Sequence, residues 1–261
     1  ERCGTARELL LSPPNGKIYE ATGSKMFNVP ISAITKGSVL RDKSKISELA
    51  LGYGGSLGAL KRMGGERMGL SDTEMMSLVR KWRSANPAIV DMWKEIDEAS
   101  KEAVRYQRPV SCTCKNLIFD CDGQFMTIQL PSGRKLFYAN PMFKDKKIGR
   151  STMPTRVLCY GGIIQKTKQW GEIDTYGGKL TENIVQAIAR DLLGNSMLNI
   201  ADKTNYGIVS HIHDEVIAEI PIENAKARYD EVVKAMERVP AWAPDFPLKA
   251  DGYITPFYLK D

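Results

Sequence analysis

The apolar residues of this chain change their period partway along, and that change constrains the fold more than any other feature. Through the first hundred or so residues they recur at helical spacing. Ile18, Tyr19, Met26 and Phe27 fit a short amphipathic helix ending near Asn28-Val29-Pro30. Val39 to Tyr53 reads as a second helix, with Ile46, Leu49, Ala50 and Tyr53 as its apolar stripe. Gly52, Gly54, Gly55 and Gly58 break that pattern, and a further helical piece is expected from Leu57 to Met63. Ser71-Asp72-Thr73-Glu74 has capping-box spacing and opens a helix to about Ser84. Asn86-Pro87 reads as an N-cap followed by proline at the first helical position, starting a long helix to about Tyr106.

The period then shortens. Phe125 to Leu130, a Pro131-Ser132-Gly133 turn and Arg134 to Tyr138 read as a β-hairpin. Lys144 to Lys168 is expected to be mostly irregular. Leu180 to Ile200 reads as a helix, Ile208–Ile212 and Val216–Ile220 as strands flanking His213-Asp214-Glu215, and Glu223 to Val239 as a last helix. Helices first and hairpins mixed with helices afterwards predict an α+β fold, a helical lobe joined to an antiparallel-sheet lobe.

Charge narrows the partners. The 261 residues carry 37 Lys plus Arg against 31 Asp plus Glu, a net +6. From Arg134 to Lys168 there are nine basic residues and one acid, Asp145, so this window exceeds the charge of the whole chain. A nucleic-acid backbone is the first candidate for such a patch, a solvated basic face the plain alternative. Hydrophobic content of 43% and charged content of 26% exclude a disordered or collagenous chain. No apolar run suffices for a membrane helix, and no signal peptide is visible. Five scattered cysteines suit a reducing cytoplasm rather than a disulfide framework. The pairs His211/His213 and Cys112/Cys114 lie far apart in sequence and lack zinc-site spacing.

Two groups of residues could carry chemistry. Arg41 and Lys45, at i and i+4, share one helical face and could grip a triphosphate, the one as a planar fork and the other as a point charge. His213-Asp214-Glu215 would display carboxylates at a hairpin tip, the oxygen donors that a hard divalent cation requires. The glycines after the Arg41 helix match neither nucleotide-loop pattern.

Together these pieces resemble the family A DNA polymerases. Arg41-x-x-x-Lys45 with Tyr53-Gly54 eight residues on is similar to motif B, the helix facing the incoming nucleotide. His213-Asp214-Glu215 is similar to motif C. Gly16-Lys17-Ile18-Tyr19-Glu20-Ala21-Thr22, Gly133-Arg134-Lys135-Leu136-Phe137-Tyr138 and Glu182-Asn183-Ile184-Val185-Gln186 resemble three further segments, in family order. The wording Glu48-Leu49-Ala50-Leu51-Gly52-Tyr53-Gly54-Gly55 and Tyr176-Gly177-Gly178-Lys179 looks like the bacteriophage or prophage branch.

The resemblance implies transfer of a nucleotide from a dNTP to a primer 3′-hydroxyl, with two Mg²⁺ ions, in the cytoplasm of a bacterial host. Asp214 would be the metal-binding carboxylate and Glu215 a lesser partner. Lys45 would neutralise the phosphates and protonate the leaving pyrophosphate, and Arg41 would clamp the terminal phosphates. Tyr19 stands where relatives often carry a phosphate-contacting histidine. Tyr53 would pack beside the base pair, and Leu49 stands where relatives often place Phe or Tyr against the sugar. Gln186, His213, Arg134 and Lys135 would contact primer–template DNA. The implied organisation is a linker or truncated start over 1–15, fingers over 16–165 and the C-terminal part of the palm over 166–261. An Asp-x-Ser-x-x-Glu motif A is missing, and the first aspartate is Asp42. The chain is therefore expected to be a C-terminal polymerase fragment, inactive alone. The alternatives are a split enzyme, in which an upstream polypeptide supplies motif A and the thumb, and a non-catalytic DNA-binding remnant.

Overall fold

The computed structural model describes residues 17–112, 116–147 and 153–259. The expected linker over 1–15, Gly16, Cys3 and Cys114 lie outside the described residues.

The first half is helical where the periodicity predicts it. Helix α1 (Ile18–Phe27) stops at Asn28, which takes the left-handed conformation that asparagine tolerates and turns its N–H back to Ser24 O. A single 3₁₀ turn (Ile31–Ala33) leads to α2 (Val39–Leu51), whose N-cap Ser38 accepts a hydrogen bond from the Arg41 N–H. Helix α3 (Leu57–Arg62) follows, then α4 (Asp72–Ala85), opened by the full Ser71/Glu74 capping box, and α5 (Pro87–Tyr106). Asn86 departs from expectation. Its side chain does not cap α5 but donates to Trp82 O at 2.9 Å, closing the end of α4 instead. Pro87 has no N–H to satisfy, so the nearer need is an orphan carbonyl of the preceding helix.

Helices α1 to α5 share a core built on Ile46, Leu51, Leu60, Met75, Val79 and Trp82, with Trp93 stacked parallel to Trp82 at 5.7 Å. One polar group is threaded into it. Glu48 Oε2 accepts from Trp82 Nε1 at 2.9 Å and from Thr22 Oγ1 at 2.8 Å, tying α1, α2 and α4 to one carboxylate.

The second half corrects the sequence reading. Six strands form one antiparallel meander in chain order: β1 (Val110–Cys112), β2 (Leu117–Cys121), β3 (Phe125–Gln129), β4 (Lys135–Lys146), β5 (Thr155–Ile163) and β6 (Trp170–Thr175). Among its described residues the segment Lys144 to Lys168 is mostly strand rather than irregular: it holds the end of β4 and all of β5. Its lysines obscure the alternation, yet two of them have partners across the sheet, Lys144 with Glu172 and Lys146 with Asp174, each at 2.5 Å. Pro141 is accommodated because the β4–β5 register shifts between Ala139 and Met142.

Helix α6 (Gly177–Lys203) is longer than predicted at both ends. Strands β7 (Gly207–Ile212) and β8 (Glu215–Glu219) form a separate two-stranded sheet, followed by α7 (Ala225–Met236). The chain separates into two compact units. One holds the helical core and the six-stranded sheet as far as Asn183, without Leu130–Arg134; the other holds Leu130–Arg134 and everything from Ile184 on. The division falls inside α6. No described helix is long and apolar enough to cross a membrane.

Candidate active site

In the first unit the site is the exposed face of α2. The Ser38 cap fixes where the helix starts, and the four-residue spacing stacks Arg41 and Lys45 on that face. Tyr19, from α1, serves both. The Arg41 guanidinium lies 5.5 Å from its ring centroid and the Lys45 ammonium 5.9 Å. Three residues singled out from sequence therefore converge. One turn further on, Leu49 is exposed and shares with Lys45, Asp42, Ile46, Met63 and Met68 a groove of about 290 Å³. Tyr53 is half-buried; burial, with the charges of Glu182 and Glu48, pushes its phenol above the ordinary value, so it is a neutral hydroxyl at physiological pH.

Glu20, as the partner of Arg41, is what sequence reasoning missed here. Its Oε1 accepts from Arg41 Nε at 2.6 Å, its side chain is buried, and Oε2 has no hydrogen-bond partner among the described residues. Burial alone would raise its carboxyl. The Arg41 hydrogen bond and charge, its own backbone N–H and the charge of Lys17 together outweigh that and hold it below the ordinary value. The signal lay next to Tyr19, but only tertiary packing pairs it with Arg41.

A depressed carboxyl stabilises the fold at pH values above the unfolded-state value of about 4.3, and that stability is lost as pH falls through the folded value. Glu20→Gln is therefore expected to cost about 2 kcal/mol at pH 7, the worth of a charge-assisted hydrogen bond. The cost should shrink steadily below pH 4 in denaturant titrations. An equal cost at both pH values would refute the ion-pair account.

The second unit presents the hairpin. Its connection is shorter than predicted: Ile212 pairs with Glu215, so only His213 and Asp214 form the tip and Glu215 is the first residue of β8. His213 takes a left-handed φ of 52°, and both tip residues are exposed. Asp214 lines a cavity of about 360 Å³ with Leu192, Leu193 and Ser196 of α6 and with Lys249 and Asp251 of the C-terminal tail. No pattern in the sequence pointed to the tail residues. Gln186 is exposed on α6, one turn before Arg190, whose guanidinium lies 3.2 Å from His211 Nδ1. Arg134 is engaged: it holds Asp191 Oδ1 at 2.5 Å through Nε and Ala187 O at 2.8 Å through Nη2, while Ser132 Oγ donates to Asp191 Oδ2. Its guanidinium pins the β3–β4 turn to α6. Lys135, in the first unit, is exposed.

No three His, Cys, Asp or Glu side chains among the described residues are grouped to hold a metal ion. Asp214 supplies one carboxylate and Glu215 belongs to a strand. That set does not complete the oxygen shell a hard divalent cation requires.

These units together have the fold of part of a polymerase domain. The chain aligns with the POL domain of Pol1 from M. smegmatis, solved in complex with DNA primer-template and dNTP, at a TM-score of 0.50 and 17% identity, over 88% of this chain and 31% of that one. In sequence it is 44% identical over 248 residues, 95% of its length, to the DNA polymerase of Bacillus phage SP02. It is a homologue of part of that phage enzyme and spans 37% of it. No protein-family profile matches the chain.

Proposed function

We propose that this chain supplies the nucleotide-facing helix and the carboxylate hairpin of a family A, template-directed DNA polymerase encoded by a phage or prophage and acting in the host cytoplasm. The observation that carries this reading is the convergence of Tyr19, Arg41 and Lys45 on the exposed face of α2, beside the groove at Leu49. Two cations a helical turn apart over an aromatic ring suit a polyphosphate. In this reading the primer 3′-hydroxyl loses its proton to water as its oxygen bonds to the α-phosphorus of a dNTP, and the bond to the bridging oxygen breaks, releasing pyrophosphate. Arg41, steadied by Tyr19 and Glu20, binds the terminal phosphates. Lys45 opposes the charge growing on the pyrophosphate and gives it a proton. Tyr53 and Leu49 flank the nucleoside, and Gln186, His213, Arg134 and Lys135 meet the primer–template.

The Mg²⁺ pair that the resemblance implies is not accommodated by the donors among the described residues alone. In this reading at least one further carboxylate joins Asp214, and no step is assigned to the ions. The hairpin β7–β8 gains no third strand among the described residues, which supports the variant in which another segment or chain pairs with its edge.

Primer extension tests the reading. The isolated chain, with Mg²⁺ or Mn²⁺, is expected to be inert. The same chain substituted for the matching part of the SP02 polymerase is expected to extend primers. Lys45→Ala in that chimera should lower the rate by about 10²- to 10³-fold, the usual loss when a group that stabilises transition-state charge is removed. A chimera that folds, binds primer–template and never extends it would remove the proposal.

A further inference from the structure

We propose that the outward face of the six-stranded sheet is a binding platform for single-stranded nucleic acid. None of its residues belongs to the α2 face or to the hairpin tip. Alternation along β3 and β4 buries Met126, Ile128 and Tyr138 on one side and turns Phe125, Phe137 and Lys135 to the other. Ala139 pairs with Gly161, so continuing that register sets Ile163 beside Phe137, and Ile163 in turn pairs with Trp170. On that register Phe137, Ile163 and Trp170 share the outward face of β4, β5 and β6. They are 66%, 61% and 65% exposed.

The rings are held as stacking surfaces. A Cβ on Gly161 would come within 3.0 Å of the Trp170 ring. The indole therefore lies over the bare glycine, with its other side in solvent. Phe137 is braced edge-to-face by Phe125 at 6.2 Å. Around these side chains the charge is positive. Lys135 lies two residues before Phe137 on the same face, and Lys166 and Lys168, in the turn joining β5 to β6, are exposed. Two acids on this face, Glu172 and Asp174, are already matched by Lys144 and Lys146.

Exposed rings amid unmatched lysines suit unpaired bases on a phosphate backbone. The core of a protein-binding patch is depleted in lysine, and duplex DNA offers no free base face to stack.

The test is fluorescence anisotropy of the 261-residue chain with labelled oligo(dT) and, separately, with a blunt duplex of equal length. Trp170→Ala and Phe137→Ala are each expected to weaken oligo(dT) binding about tenfold and to leave duplex binding unchanged. Trp170→Leu, which keeps an apolar side chain, should lose as much. Lys166→Glu with Lys168→Glu should flatten the salt dependence. All these side chains are exposed, and circular dichroism verifies that each variant folds. No oligo(dT) binding at low salt, or variants that bind as the parent does, would overturn the platform. So would self-association in sedimentation that the ring substitutions abolish without affecting DNA binding. Primer extension by the SP02 chimera is read independently, so failure of the platform and failure of the polymerase reading remain distinguishable.

Discussion

In the SP02 chimera, Asp214→Ala is expected to lower primer extension by on the order of 10³-fold or more while leaving the fold intact. Both halves of this expectation come from the hairpin. Asp214 is exposed at a two-residue tip, and its neighbours Ile212 and Glu215 complete the ladder through backbone pairing. Exposed substitutions away from special contacts usually shift stability by no more than about 0.5 kcal/mol. The unfolding midpoint should therefore hardly move. Activity should collapse because a site that works by placed charge loses far more than one contact when a charged member is removed. Asp214→Asn should be nearly as inactive, since it keeps the shape and removes only the charge. Glu215→Gln should cost much less, because Glu215 is a strand residue rather than part of the tip. Single-turnover extension, with binding of labelled primer–template as the control, separates lost chemistry from lost DNA. A rate within a few-fold of the parent for Asp214→Ala would mean that this carboxylate lies outside the reacting centre.

The helical half was legible because its signals are local. The Ser71/Glu74 box, the Asn28 stop and the stripe along α2 each lie within a few residues of the structure they specify. Half of the nucleotide face was legible for the same reason, since i,i+4 spacing alone puts Arg41 beside Lys45. Tyr19 entered through the resemblance, and the structure sets it against both cations. The hold of Glu20 on Arg41 was not legible, because it spans two helices. The sheet was hidden for a different reason. Lys144 and Lys146 of β4 are matched to Glu172 and Asp174 of β6, so a segment that reads as a solvated basic stretch contributes to two long strands. Strand β5 runs through Gly161 and Gly162, with the Trp170 ring over the first. The cavity at Asp214 gathers Lys249 and Asp251 from a tail without regular structure, which no periodicity announces.

The same reasoning makes Gly177→Ala one of the most damaging single methyl groups in the first unit. Gly177 opens α6, and its N–H donates to Asp97 Oδ1 at 3.0 Å, while Asp97 also holds Lys101 at 2.6 Å. This anchors the start of α6 on α5. A Cβ at Gly177 would lie 1.8 Å from Trp93 O and 2.9 Å from the Asp97 Cβ. The obstruction is backbone in the middle of a helix, so no rotamer change relieves it. Either the two helices separate or the Trp93 peptide moves, and Trp93 carries the stack on Trp82. Overpacking typically costs 1–3 kcal/mol where side chains can adjust; here the expected loss is about 3 kcal/mol or more. Gly194 is the control in the same helix. Nothing lies within 4 Å of its missing Cβ, so Gly194→Ala should be neutral or stabilising by up to about 1 kcal/mol, the helix preference of alanine over glycine. Denaturant melts followed by tryptophan fluorescence compare the two directly. The expected consequence reaches the nucleotide face as well, because the next residue, Gly178, sits against the Tyr53 carbonyl, where a Cβ would come within 2.4 Å. A Gly177→Ala chimera should therefore bind dNTP more weakly even where it still folds. A variant as stable as the parent would mean that α6 does not begin against the Trp93 carbonyl, and the placement of Tyr53 would then need another support.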